Sequence, residues 1–143
     1  MGQILVIAIG GSLLFLEIHG VDDKIEMYYN GIGDAVMINN EILAITDRLQ
    51  STLTPKRIYL FGSFANDTYT DESDYDFYLV VSDHAGDKIS LSQTAYKALR
   101  GLRKRPVDIV IGYETPFARR AGAETDTLER VISREGILLY AEQ

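Results

Sequence analysis

Apolar residues recur at helical spacing in the stretch that begins near residue 38. Ile38 is followed by Ile42, Ile45 and Leu49 at intervals of three or four residues. Residues spaced in this way share one face of an α-helix. The pattern therefore predicts a helix from about residue 38 to Gln50.

Capping signals mark two further helices. Ser90 with Gln93 has the spacing of a capping box and predicts a helix that reaches about residue 104. Asp126 with Glu129 predicts the start of a last helix in the same way.

Short runs rich in β-branched and aromatic residues separate these helices. They predict four strands, at 57–61, 74–82, 107–111 and 137–140. Side chains alternate between the two faces of a strand. One face of the second strand is therefore uniformly apolar and consists of Tyr75, Phe77, Leu79 and Val81. Because strands and helices alternate, the expected fold class is α/β (α+β), a small mixed β-sheet with flanking helices.

The first 36 residues are apolar and rich in glycine, and we interpret them as an N-terminal extension to a domain at 37–143. Gly10-Gly11-Ser12 suits a hairpin turn between strands at 3–9 and 13–18. A third strand at 24–29 would complete a β-meander. The alternative is a poorly ordered leader that adds nothing to function.

The apolar run at 4–18 raises the question of a membrane span or a signal peptide. It is shorter than the ~20 residues that a spanning helix needs. It also lacks the basic start and the small-residue cleavage site of a secretory signal. We therefore expect a cytoplasmic protein without membrane association.

Composition narrows the classes of function. The 143 residues suit a single domain, and the formal net charge is −7. A duplex nucleic-acid binder needs a basic face, so this class is disfavoured and no direct nucleic-acid binding is expected. A cationic protein partner or a metal-bridged anionic substrate remains compatible. The absence of cysteine excludes disulfides and thiolate metal sites.

Gly62-Ser63 follows the first predicted strand of the domain and is a candidate nucleotide-binding turn. Glycine lets the backbone approach a phosphate closely, because it has no side chain. Free amide groups at a helix start attract anions, and the serine hydroxyl adds a further donor. Taken alone the signal is weak, because Gly-Ser turns are common.

Asp74 and Asp76 form a more informative pair. Residues two apart on a strand point to the same side of the sheet, so the two carboxylates lie together and repel. Holding both ionised on a half-buried face is costly unless a cation compensates. The pair therefore predicts a cation site at the start of the second strand.

Asp108 interrupts the apolar strand at 107–111 and is the third candidate ligand. If this strand lies beside that of Asp74 and Asp76, three carboxylates form an oxygen-rich site of the kind that Mg²⁺ prefers. Two magnesium ions held there would activate an attacking hydroxyl and neutralise a leaving pyrophosphate. Asp108 is also the candidate general base.

Gly62-Ser63, ten further residues and then Asp74-Tyr75-Asp76 resemble the signature of the polymerase-β-type nucleotidyltransferase superfamily. Ser73 before the first aspartate and the 107–110 strand resemble the minimal nucleotidyltransferase (MNT) antitoxins within it. The resemblance covers about 38–141. It implies magnesium-dependent transfer of AMP from ATP, with Asp74, Asp76 and Asp108 as catalytic metal ligands. In the antitoxin branch the acceptor is a tyrosine of a HEPN ribonuclease toxin. For this chain we also expect a homo-oligomer or a hetero-oligomer.

Two positions depart from the family pattern. The family often has arginine and glycine three and four residues after the motif serine, where this chain has Asn66 and Asp67. Asn-Asp still suits a turn, but a phosphate-facing cation is lost. The cluster Arg103-Lys104-Arg105 does not replace it in our interpretation, because it lies at a predicted helix end, where positive charge complements the helix dipole.

Two alternative functions remain open at this stage. One is a small-molecule adenylyltransferase, similar to aminoglycoside-modifying enzymes, which usually carry a further helical domain for the acceptor. The other is a non-catalytic module that neutralises its partner by contact alone. An intact set of three acidic residues speaks against the second alternative, although metal ligands do not by themselves prove turnover.

Overall fold

A computed structural model describes residues 4–9, 13–18 and 26–143 of the chain, with side chains from residue 27 onward. The described N-terminal residues contain two antiparallel strand pairs. Strands β1 (Ile4–Ile9) and β2 (Leu13–Ile18) form one, and β3 (Glu26–Tyr29) and β4 (Ala35–Ile38) form the other. The two pairs are separate two-stranded sheets rather than one continuous meander. The predicted turn at 10–12 lies outside the described residues.

The main sheet has four strands in the order β7-β6-β5-β8. They are β5 (Arg57–Phe61), β6 (Tyr75–Val81), β7 (Val107–Tyr113) and β8 (Ile137–Ala141). β5 is antiparallel to both of its neighbours, whereas β6 and β7 are parallel. The predicted small mixed sheet is confirmed.

In the described part of the chain, four α-helices flank the sheet: α1 (Asn40–Leu53), α2 (Lys88–Ala98), α3 (Glu114–Ala121) and α4 (Leu128–Glu135). α3 was not predicted from the sequence. Its eight residues include Pro116, which is tolerated because it lies in the first turn. Among the described residues, no helix is both long and apolar enough to cross a membrane.

The predicted helix starts are wrong in detail. Ile38 belongs to β4, and α1 begins after Asn39, whose side chain accepts a hydrogen bond from the Ile42 amide. α2 is capped by Asp87 instead of Ser90, and it ends at Ala98 instead of near residue 104.

The last helix also has a different cap from the predicted one. Thr127, not Asp126, accepts from the Arg130 amide at the start of α4. Glu129 is buried rather than part of a capping box, and it accepts a hydrogen bond from the Tyr78 hydroxyl. In each case a short polar side chain one to three residues from the predicted cap accepts the helix-start amide, so sequence spacing alone could not decide between them.

The sheet has a core on each face. The larger core packs α1 and α2 against alternate residues of the sheet and includes the predicted apolar face of β6. The smaller core lies under α3 and α4 and consists of Tyr59, Tyr78, Val80, Phe117 and Ile132. Because both faces of β6 are covered beyond its second residue, only the start of the strand is open to solvent on the Asp76 side.

The β3–β4 hairpin packs into the main core. Tyr28, Val36 and Ile38 are each at most 3% exposed and belong to the larger cluster. At the hairpin turn, the buried Asn30 donates a hydrogen bond to the Ala65 carbonyl at 3.4 Å, and the Gly31 amide donates to the Gly136 carbonyl at 3.2 Å. The boundary predicted between residues 36 and 37 lies inside β4. We therefore expect the folding unit to begin near residue 26.

A pair of truncations tests where this unit begins. Chain 39–143 lacks the three buried apolar side chains of the hairpin, each of which stabilises a fold by roughly 1.5–3 kcal/mol. Their sum is comparable with the whole stability of a typical domain, about 5–15 kcal/mol. We expect 26–143 to unfold cooperatively in urea, and 39–143 to be unfolded or strongly destabilised. A 39–143 chain with the midpoint of the longer one would contradict this boundary.

Candidate active site

The three aspartates predicted from the sequence lie at the same end of two neighbouring strands. Asp76 is the second residue of β6 and Asp108 is the second residue of β7. The strands are parallel, and these two residues are direct partners across them. Asp74 immediately precedes β6. The expected adjacency of the two strands is confirmed.

The carboxylates of this cluster affect one another electrostatically. Asp76 and Asp74 are half-buried, whereas Asp108 is exposed on an edge strand. Burial raises the pKa of Asp76 above its ordinary value, and the negative charges of Asp108 and then Asp74 raise this pKa further. The site therefore holds like charges that only an added cation or a proton can compensate.

Gly62 makes room for Asp76. It is the first residue of a short 3-10 helix, Gly62–Phe64, and has a left-handed φ of 72°. A Cβ atom built at this position would collide with an Asp76 carboxylate oxygen. The sequence assigned this glycine to phosphate approach, and the structure adds a second reason: any side chain here would displace the aspartate.

Ser63 lies beside this contact, at the start of the turn that leads away from β5. Its carbonyl accepts a hydrogen bond from the Thr68 amide at 3.0 Å, which closes the turn. Asp67 in this turn has a left-handed φ of 56°. The family often has glycine at this position, and the left-handed backbone explains the preference. Aspartate is among the other residues that tolerate a left-handed backbone.

Arg105 holds the loop that leads to Asp74. Its guanidinium donates to the carbonyls of Thr70, Asp71 and Ser73 at 3.0–3.1 Å. It also lies 5.2 Å from the centre of the Phe64 ring, in the turn that follows Gly62. Arg105 therefore links the two segments that carry Gly62 and Asp74.

The helix-dipole interpretation of the basic cluster is wrong. α2 ends at Ala98, so Arg103, Lys104 and Arg105 lie in the loop before β7. Glu41 at the start of α1 accepts from the amides of Lys104 and Arg105. No local sequence signal reveals this role, because the contacts join segments more than 30 residues apart.

The donor set fits a magnesium ion of the kind that binds together with substrate phosphates. Within the described residues, no three His, Cys, Asp or Glu side chains form a ready-made metal cage. Magnesium sites in nucleotide-dependent enzymes usually have one or two carboxylates, with waters and phosphates as the remaining ligands. Adjacent Asp76 and Asp108, with Asp74 nearby, match that pattern.

The contact between Gly62 and Asp76 can be tested with a matched pair of substitutions. Gly62→Ala and Gly101→Ala both place a Cβ at a left-handed glycine, and each costs about 1 kcal/mol for that reason. Gly101 faces open space, whereas Gly62 faces Asp76. We expect Gly62→Ala to weaken the expected binding of magnesium-ATP at least about tenfold in calorimetry, and Gly101→Ala to leave it near wild type. Equal effects of the two variants would show that displacement of Asp76 does not contribute to the loss of magnesium-ATP binding.

The raised pKa of Asp76 predicts how stability depends on pH. Above the ordinary Asp value of 3.8, the unfolded chain gives up this proton before the folded protein does. Wild-type stability should therefore fall as pH rises through the window between the two pKa values. In EDTA, Asp76→Asn should melt higher than wild type at pH 7, and the difference should shrink below about pH 4. A lower melting temperature of a well-folded variant at pH 7 would contradict this prediction.

Comparisons with known proteins identify the family of the chain. A family model described as Polymerase beta, Nucleotidyltransferase matches residues 44–143. No curated protein matches the chain. A chain from a solved structure, described as the crystal structure of the toxin-antitoxin with AMP-PNP, is 27% identical; the match covers 73% of this chain and 75% of that chain, with a TM-score of 0.48. Since the family model spans more than half of the sequence, this chain belongs to the polymerase-beta nucleotidyltransferase family.

Proposed function

We propose that the protein transfers AMP from ATP to a hydroxyl group, with Asp74, Asp76 and Asp108 as the catalytic carboxylates. One observation carries the proposal. Asp76 is packed against Gly62 and paired in register with Asp108, in a place where its charge is unfavourable without a cation. Family membership supports the class of reaction, and the position of the three acids supports their assignment as the catalytic residues.

The acids are proposed to bind magnesium, two ions in the complete complex. Such ions neutralise the triphosphate and lower the pKa of an attacking hydroxyl. Repulsion among the three carboxylates destabilises the free protein. Because a bound cation relieves this repulsion, the same repulsion increases the affinity of the site for the cation.

The remaining residues position the substrates. Gly62 and Ser63 are proposed to face the phosphates, because they follow β5 beside Asp76. Within the described part of the chain, the Ser63 hydroxyl has no hydrogen-bond partner and is available to a phosphate oxygen. Asp108 is the most exposed of the three acids and is proposed to take the acceptor proton.

The chemical step is a displacement at the α-phosphorus of ATP. The acceptor oxygen forms a bond to this phosphorus, and the bond from it to the bridging oxygen of pyrophosphate breaks. The hydroxyl proton passes to the Asp108 carboxylate. AMP is then linked to the acceptor, and pyrophosphate leaves with the bonding electron pair.

We propose as acceptor a tyrosine of a HEPN ribonuclease toxin, which makes the protein the antitoxin of a pair. The support is the sequence resemblance to MNT antitoxins in the segment from Gly62 to Asp76 and in the strand of Asp108. A small-molecule acceptor and neutralisation by contact alone are the competing outcomes of the experiment below.

The double substitution Asp74→Asn with Asp76→Asn tests the mechanism. Neither side chain belongs to the hydrophobic cores, so the fold should be kept. We expect transfer of radiolabelled AMP from ATP to a co-expressed HEPN partner to fall by about a hundredfold or more, because charge stabilisation is lost. Stabilisation by magnesium in thermal melts should disappear with it.

The matched control is Glu124→Gln with Asp126→Asn, which removes the same charge from an exposed loop before α4. This control should transfer AMP at the wild-type rate. Wild-type transfer by the folded double mutant would refute the proposed mechanism. Loss of transfer with continued toxin neutralisation would keep the chemistry and assign the biological effect to contact.

A further inference from the structure

A basic groove runs along the exposed side of α2, outside the acidic site. It has a volume of about 660 Å³. Its lining residues come from α2 and the loop after it, and four of the eight are cations. They are Lys88, Ile89, Ser92, Gln93, Tyr96, Lys97, Arg100 and Arg103. Such a concentration of positive charge is unexpected in a chain with net charge −7.

The four cations of the groove are available to a ligand. Within the part of the chain that the structure describes, the ion pairs are Lys56–Glu142 and Arg120–Glu129, and none includes a groove cation. Lys88 and Arg103 lie 5.3 and 5.9 Å from the ring centres of Tyr113 and Tyr96, which are neutral partners. Positive charge in the groove is therefore not compensated by a neighbouring carboxylate.

One end of the groove lies beside the strand of Asp108. The Tyr96 hydroxyl accepts a hydrogen bond from the Ile109 amide at 3.0 Å, and Ile109 directly follows Asp108. β7 is an edge strand, and Asp108 is exposed on it. Side chains alternate along a strand, so the Asp108 carboxylate lies on the face of β7 opposite that of Ile109 and α2. A chain that leaves the groove at this end therefore reaches the proposed general base around the open edge of β7.

We propose that this groove binds an acidic peptide segment of the acceptor protein and directs the neighbouring hydroxyl to Asp108. This inference rests on the proposed function, since it names the surface that recognises the acceptor. Lys88 and Lys97 are separated by about 14 Å along the helix, a length that about four residues of extended peptide cover. Ile89, 72% exposed, offers an apolar contact within the same groove.

A protein segment fits this surface better than a nucleic acid. A short acidic stretch can end where the groove ends, so that a neutral hydroxyl-bearing residue meets Asp108. A polynucleotide has a phosphate at every unit, and beyond the groove its charges would meet Asp74, Asp76 and Asp108. Like charges in contact disfavour such a partner.

Fluorescence anisotropy of labelled octaglutamate, in EDTA and without ATP, tests the proposal on the full chain. We expect Lys97→Gln with Arg100→Gln to weaken binding by about fivefold or more, as the loss of two exposed ion pairs implies. The control Arg119→Gln with Arg134→Gln removes the same charge from α3 and α4, and it should change binding by less than about twofold. Both sets of side chains are exposed, so we expect the two variants to have equal stability, and thermal melts check this.

Two further probes separate the outcomes. Octauridylate RNA should bind more weakly than octaglutamate; tighter binding of the RNA would overturn the proposal in favour of a nucleic acid. Equal losses in the groove and control variants, or no octaglutamate binding to wild type at about 1 mM, would also overturn it. The Asp74→Asn, Asp76→Asn variant should still bind octaglutamate, because this assay needs neither metal nor nucleotide. The assay therefore distinguishes a wrong assignment of the AMP-transfer site from a wrong assignment of the groove as a peptide-binding surface.

Discussion

Repulsion among carboxylates at the start of β6 and β7 is the constraint on which the site depends. Asp76 and Asp108 are direct partners on parallel strands, and burial together with both neighbouring acids raises the pKa of Asp76. Left alone, this arrangement lowers stability at neutral pH. A polar site of this kind persists only when the surrounding structure fixes it, and the surrounding contacts do so from several sides.

Three of these contacts come from distant parts of the chain. Gly62 leaves the space that the Asp76 carboxylate occupies. Arg105 holds the loop before Asp74 through three carbonyls. Asn30, in the turn of the β3–β4 hairpin, donates to the Ala65 carbonyl just beyond Ser63. The hairpin therefore belongs to the architecture of the site as well as to the core, although the recognised motifs begin later in the sequence.

The packing of α3 and α4 on the sheet explains why the acids are confined to the strand starts. Tyr78 is buried beneath α3 and α4 and donates its hydroxyl to Glu129, which also pairs with Arg120. Gly112 in β7 leaves room for the Tyr78 ring, since a Cβ there would collide with it. Two residues beyond Asp76 the same face of β6 is thus closed to solvent, and any substrate must approach from the end of the strands that carries the aspartates.

The sequence by itself determined the class of fold and the candidate acids. Period-two patterning and turn residues located all four strands of the main sheet, and the spacing of Gly62, Ser63, Asp74 and Asp76 indicated the family. These signals depend on residues that are close together in the sequence, so one sequence is enough to detect them. Helix starts were less secure, because Asp87 and Thr127 compete with neighbouring polar residues for the same capping role.

Only the tertiary structure decided which residues meet. The pairing of Asp76 with Asp108 spans 32 positions, Arg105 reaches a loop more than 30 residues earlier, and α2 gathers four cations into one groove. It also assigned Ile38 to β4, where helical periodicity had placed it in the first helix, because Val36 and Ile38 are buried against the core at strand spacing. Contacts between distant segments depend on how the elements pack. The spacing of hydrophobic residues along the chain predicts the elements but not their packing.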